Sequence, residues 1–399
     1  MELTSKTVTM KSINQIFLAI ALIVCTIAFQ SCNCKDCKIE KELQEIMERN
    51  KAVGLAVVAV KDGQIIYNKS LGYKDLDAKT PLGDSDIFRI ASISKSFTAT
   101  AIMQMVEQGK INLNDPVSKY IGFPVVNPNF PEDTITVQML LSHSSSLNDT
   151  TGYFSLNVIN PDSTKTWKNA YNNYKPGSLY EYCNLGYNTL GTILERVSGE
   201  RFDKYIVNHI LNPIGVYGGY EVGSLDSTKF VKIYEYNRAD SSYTWSPDAY
   251  APRKKEIENY VFGYTTPIFS PTGGMKISAL DLAKVMIMHM NYGTYGQTQI
   301  ISKESAELMQ SPLIVTDAED NGWYGFAIRT TNDLIEGHTM IGHTGGAYGV
   351  FTSMFWDKDR KFGVIAMTNG CNERRDHHFM SIHRECAQAL YNNIINPQK

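Results

Sequence analysis

The sequence predicts an α+β fold in which an all-helical lobe is inserted into a lobe built on an antiparallel sheet. Short apolar strand patterns joined by tight polar turns stand near both ends of the chain, and helical periodicity with stop signals fills the middle. A composition of 43% hydrophobic, 20% charged and 11% aromatic residues over 399 positions is that of a packed globular protein, long enough for a two-lobed enzyme.

The first element is an address. Residues 16–29 (IFLAIALIVCTIAF) are uncharged and almost wholly apolar, with Lys6 and Lys11 before them and Gln30-Ser31-Cys32 after. That run falls short of the roughly 20 residues that span a bilayer, so it reads as a signal-peptide core. Residues 1–31 are expected to be a lipoprotein-type signal, opened by Met1 or Met10, with Cys32 becoming the lipidated terminus of a tether over 32–38. Export follows, to the periplasm or cell envelope, with the membrane reached through the lipid. Cys32, Cys34 and Cys37 lack the second half-site of a zinc centre, and Cys183, Cys371 and Cys386 are too scattered for a disulfide framework.

Residues 39–50 (IEKELQEIMERN) predict an amphipathic helix and 54–60 (GLAVVAV) a buried strand. Lys61-Asp62-Gly63 is a hairpin turn, answered by a strand over 64–70. Helices are expected over 94–107, stopped at Gly109, and over 185–197, stopped at Gly199. Between them, 148–178 has loop composition, and loops of that length are usually functional rims. Strands over 349–356 (GVFTSMFW) and 362–369 (FGVIAMTN) precede a terminal helix over 380–395. The domain then covers 39–396, with the sheet lobe at about 39–85 and 320–396 and the helical lobe at about 86–319. With 38 basic against 41 acidic residues, the net charge of −3 leaves no surplus to neutralise a phosphate backbone, so nucleic acid is excluded as a partner.

Three motifs carry chemistry. In Ser92-Ile93-Ser94-Lys95, at a helix start, the spacing puts the lysine amine beside the Ser92 hydroxyl. A serine is a weak nucleophile until a neighbour takes its proton, and a helix start adds N–H groups for a developing anion. Tyr182-Cys183-Asn184 follows a Pro176-Gly177 turn and opens a helix. Tyr171-Asn172-Asn173 and Tyr391-Asn392-Asn393 fit the same pattern but lack that setting. His343-Thr344-Gly345-Gly346 stands before a strand, where small residues allow close approach and the Gly346 N–H can form half of an oxyanion hole.

Taken in order, these motifs resemble the penicillin-recognising serine hydrolases of the class C β-lactamase type, whose third motif is Lys-Thr-Gly or His-x-Gly. The surrounding phrases FRIASISKSFTATAIMQMVEQGKINLNDPVSKYI, VQMLLSHSSSL, YEYCNLGYNTLGTILERVSG and SPTGGMKISALDLAKVM are similar too, so the resemblance covers residues 40–395. It implies a β-lactamase/transpeptidase-like fold. It also implies Ser92 as the acylated nucleophile, Lys95 as its proton partner and Tyr182 as general base or leaving-group acid. Asn184, His343, Thr344 and Gly345 would contact substrate, and the Ser92 and Gly346 N–H groups would form the oxyanion hole. A phenol titrates near 10, so Tyr182 works as a base at neutral pH only if a cation lowers it, and Lys95 is the candidate.

Several positions depart from the family pattern. His343 replaces the usual lysine, and beside Lys95 it should be neutral at pH 7, which weakens carboxylate recognition. Ser146 replaces a glycine in the His-Thr-Ser-Gly-Leu phrase, with strain expected if its φ is positive. Cys183 is expected to pack, and His143 to hold its loop. Asp376, His377, His378 and His383 are expected to belong to a His-rich surface loop near a helix start rather than a metal site, and Arg374 and Arg375 are candidates for the cleft rim. The expectation is an exported, lipid-anchored serine hydrolase, free of metal or nucleotide cofactor, that cleaves an amide or ester in a small molecule or a cell-wall-derived peptide. A class C-type β-lactamase, an idle penicillin-binding or sensory lipoprotein, and an adhesive scaffold are the alternatives.

Overall fold

Strand β1 (Gly54–Lys61) explains why the two ends of the chain meet. Its apolar run has both faces buried: Leu55, Val57 and Ala59 enter one core, and Ala56, Val58 and Val60 enter another. The computed structural model describes residues 35–317 and 322–397, so the leader, the expected lipidation site Cys32 and the start of the tether lie outside the described residues.

β1 turns into β2 (Gln64–Asp75) through Asp62 and Gly63, at φ 50° and 71°. Positive φ at both positions is the type I′ hairpin that suits twisted strands. The other strands of this sheet are β3 (Thr80–Pro81), β4 (Ile314–Asp317), β5 (Gly322–Tyr324), β6 (Arg329–Thr331), β7 (Met340–Ala347), β8 (Val350–Asp357) and β9 (Phe362–Thr368). Their spatial order is β4-β5-β6-β7-β8-β9-β1-β2-β3, antiparallel throughout.

Five helices set the layers: α1 (Lys35–Asn50), α2 (Ser94–Glu107), α3 (Asn184–Ser198), α4 (Ala279–Met290) and α5 (Ser381–Leu390). α1 and α5 cover one sheet face, where Ile39, Leu43 and Ile46 meet Ile382, Cys386 and Leu390. On the other face α4 packs Leu282, Val285 and Met286 into a core shared with Val58, Trp356 and Ile365. That apolar cluster continues without a break into Phe97 and Ile102 of α2 and Leu190 and Ile193 of α3. The architecture is α+β, an antiparallel sheet lobe with a helical insert.

The structure also holds elements that the periodicity does not announce. α1 begins at Lys35, upstream of the expected start. β4, β5 and β6 are short and mixed in polarity, which hides a period of two. The insert, expected to be all-helical, also contains a three-stranded sheet of Phe88–Arg89, Lys276–Ile277 and Gly218–Gly219 and a hairpin of Tyr234–Asn237 with Ser242–Trp245. Two-residue strands carry no periodic signal.

Candidate active site

The chain leaves the strand Phe88–Arg89, passes Ala91 at φ 46°, and makes a tight turn over Ala91–Ile93 before α2 starts at Ser94. A left-handed alanine costs on the order of 1 kcal/mol, so the backbone holds strain next to Ser92. Ser92 is partly exposed, and Lys95, three residues on, is fully buried with its Nζ 3.1 Å from Ser92 Oγ.

Two other acceptors hold that amine: Asn184 Oδ1 at 2.9 Å and the Thr272 carbonyl at 3.0 Å. A neutral amine donates two hydrogens to these and keeps its lone pair for the Ser92 hydroxyl proton. Burial pushes Lys95 down to about 7, partly opposed by the negative charge of Asp149. If neutral Lys95 takes the serine proton, kcat/KM rises with pH through about 7 and levels off above it. An ester-hydrolysis profile from pH 5.5 to 9 checks this, and a fall across that window would show the ammonium to be the working form.

Asp149 is a residue that the motifs do not reveal. Its carboxylate accepts from Asn184 Nδ2 at 2.8 Å and from the backbone N–H groups of Asn184 and Leu185, both at 2.9 Å. It therefore caps α3 from a distant loop and fixes the Asn184 amide so that its oxygen faces Lys95. Only its place in the polar stretch 148–178 hinted at a role.

Tyr182 lies on the segment entering α3 and borders the cleft together with Ser92. His143 steadies this segment: its Nδ1 accepts from the Cys183 N–H at 3.1 Å, and its ring lies 4.3 Å from that of Tyr182. Lys95 Nζ sits 4.7 Å from the centre of the Tyr182 ring, yet burial outweighs any cationic effect and pushes the phenol up, so it keeps its proton. Of the competing motifs, Tyr171 is buried against Trp167 and Tyr391 packs on His338 in the other core.

β6 pairs with β7 only as far as Gly342, so His343, Thr344, Gly345, Gly346 and Ala347 form an edge open to the cleft. His343 Nδ1 donates to the Thr344 carbonyl, and its Nε2 accepts from Tyr324 Oη at 2.9 Å. Burial first, and Lys95 second, push His343 down to about 3, so it is neutral. Gly345 is where β7 touches the segment that carries Ser92. A Cβ there would strike the Ile90 carbonyl oxygen and lie 2.5 Å from Thr352 Oγ1 and 3.1 Å from Ser92 N.

Ser92 and Gly346 both border two hollows. One, of about 430 Å³, carries Tyr182, His343, Tyr324, Arg329 and Arg375. The other, of about 380 Å³, carries Asn184, Tyr153, Phe154, Tyr348 and Arg89. Arg375 thus reaches the cleft, while Arg374 turns away to Glu385 at 2.8 Å.

The remaining departures have physical accounts. Ser146 has φ 65°, and its Oγ accepts from Asn127 Nδ2 at 2.9 Å, which offsets the strain. The Cys183 thiol is buried beside Asp149, and both burial and that charge push it up, away from the thiolate. His383 is buried beneath the sheet, whereas His377 and His378 are exposed on a hairpin; among the described residues no His, Cys, Asp and Glu groups converge as a metal set.

A family model described as Beta-lactamase matches residues 39–387. The chain is 33% identical over 182 residues to Protein flp of Staphylococcus aureus (strain N315), covering 44% of this chain and 36% of that protein. It is 29% identical over 322 residues to penicillin-binding protein 4* of Bacillus subtilis (strain 168), covering 78% of this chain and 67% of that one. The octameric penicillin-binding protein homologue from Pyrococcus abyssi superposes with a TM-score of 0.67 at 28% identity, over 84% of this chain and 73% of that chain. The aligned stretch spans only about a third of the staphylococcal protein's own length.

Proposed function

Because the chain belongs to the beta-lactamase family of serine hydrolases, we propose that it cleaves an amide or ester through an acyl-serine intermediate on Ser92. The observation that carries this reading is the Ser92–Lys95 pair at 3.1 Å, with the other two directions of the amine occupied by fixed acceptors. Lys95 takes the Ser92 proton as Oγ attacks the substrate carbonyl. The oxyanion then forms against the Ser92 and Gly346 N–H groups, and the protonated Tyr182 donates to the leaving group. In deacylation the same groups serve water in the reverse sense.

The two hollows beside Ser92 would take the acyl portion and the leaving group separately. His343 supplies no positive charge, which favours peptidase, amidase or esterase chemistry over a resistance β-lactamase. A second reading has one specific support: Arg329 and Arg375 border the same hollow as His343, so a substrate bearing a carboxylate would meet guanidinium groups there. His343→Lys is expected to raise kcat/KM for a carboxylate-bearing lactam by about tenfold relative to a neutral ester. No relative gain would mean that the existing arginines already serve that carboxylate. The apolar run over residues 16–29 followed by Ser31-Cys32 supports export, with a lipid on Cys32 as the anchor this reading adds. The direct test of function is turnover of a short-chain chromogenic ester by the chain beginning after Cys32, with a covalent adduct mapped to Ser92. Stoichiometric acylation without turnover would instead support an idle binder.

A further inference from the structure

The register of the small sheet in the insert sets Arg89 directly opposite Lys276. Side chains opposite one another in an antiparallel pair share a face, and like charges there repel. Both are drawn inward: Lys276 is 4% exposed and Arg89 is partly buried. Their polar partners are backbone carbonyls, Gly273 and Ala249 for Arg89 and Tyr220 for Lys276. Among the described residues neither makes an ion pair with a carboxylate.

Both line one narrow, partly open cavity of about 30 Å³, together with Arg253. That is room for one or two water-sized species. Two acids border it without closing on the cations: Glu221 turns Oε1 to the Gly223 N–H at 2.7 Å, and Asp248 is exposed. Burial first, and the charge of Arg89 second, push Lys276 far below the usual range for an ammonium, and the carboxylates of Glu221 and Asp203 oppose this only in part.

We propose that this cavity binds one small monovalent anion, a halide such as chloride, between the Lys276 ammonium and the Arg89 guanidinium. The anion balances two like charges that the strand register forces together. The site lies just behind the catalytic lysine: Arg89 Nε donates to the Gly273 carbonyl, and the preceding carbonyl, of Thr272, accepts from Lys95.

The test is thermal unfolding of the chain beginning after Cys32, at constant ionic strength, with chloride exchanged for gluconate, which is too large for the cavity. Chloride should raise the Tm saturably, on the order of 2 °C at several times its dissociation constant. Bromide in crystals should give an anomalous peak in the cavity. Lys276→Met should lose the chloride dependence. Lys276→Glu, which sets a carboxylate opposite Arg89, should fold and be indifferent to chloride. A wild-type Tm that ignores chloride, or an unchanged chloride response in Lys276→Met, overturns the proposal. Should Lys276→Met not fold, the bromide peak decides, and a cavity without one overturns it.

Discussion

Ser92→Ala is expected to lower kcat/KM for a short-chain chromogenic ester by about 10³-fold or more, since no other group can form the acyl intermediate. The loss should be one of chemistry rather than folding. Ser92 Oγ accepts from Lys95, and Lys95 keeps Asn184 Oδ1 and the Thr272 carbonyl when the hydroxyl is gone. Unfolding temperature should therefore stay close to that of the native chain while turnover disappears. Intact-mass analysis supplies the second readout: a slowly deacylating β-lactam should add one equivalent to the native chain and none to the alanine variant. Ester turnover that survives in Ser92→Ala, or an adduct mapped to another residue, would refute the acyl-serine mechanism.

Gly345→Ala is expected to be nearly as damaging by a different route. The added methyl group meets backbone at the Ile90 carbonyl and side chain at Thr352, within the contact that seats β7 against the nucleophile segment. Backbone cannot rotate aside as a flexible side chain can, so overpacking here should cost about 1–3 kcal/mol of stability. Displacing Ser92 relative to the Gly346 N–H by even an ångström should cost roughly 10²-fold in kcat/KM. Gly346→Ala is the control, because its Cβ would meet nothing nearer than Phe351 Cδ1 at 3.4 Å. Calorimetry and ester kinetics on both variants decide the matter: equal effects would show that close approach at Gly345 is not what the fold requires.

Much of the fold was legible because the elements at either end carry strong local signals. The GLAVVAV run, the Asp-Gly turn and the α2 periodicity each specify themselves, and all appear close to the expected bounds. What escaped is non-local. β4, β5 and β6 are strands by virtue of their neighbours, since Arg329-Thr330-Thr331 has no apolar face to announce. The site shows the same division. Ser92, Lys95, Tyr182, Asn184 and the His343 strand stand in motifs, and the structure brings them around one cleft. Asp149 and Thr272 stand in none, yet one fixes Asn184 and the other holds Lys95. The titration of Tyr182 was likewise beyond spacing. A sequence shows that a cation is near, but not that burial outweighs it.

The apolar cluster that runs unbroken from the sheet through α4 into α2 and α3 constrains how any substrate would reach Ser92. Domains that swing apart join through modest, partly wet interfaces, whereas these walls are cut from one block. Rotating the insert away from the sheet would pull residues such as Phe97, Ile102 and Leu190 from the packing they share with Val58 and Ile365. Access to Ser92 would then depend on individual side chains that line the two hollows, such as Phe154, Tyr348 and Arg375, set on a bed packed as one unit. Selectivity in such a molecule would be a matter of rim and lining, open to change one residue at a time without disturbing the Ser92–Lys95 pair beneath.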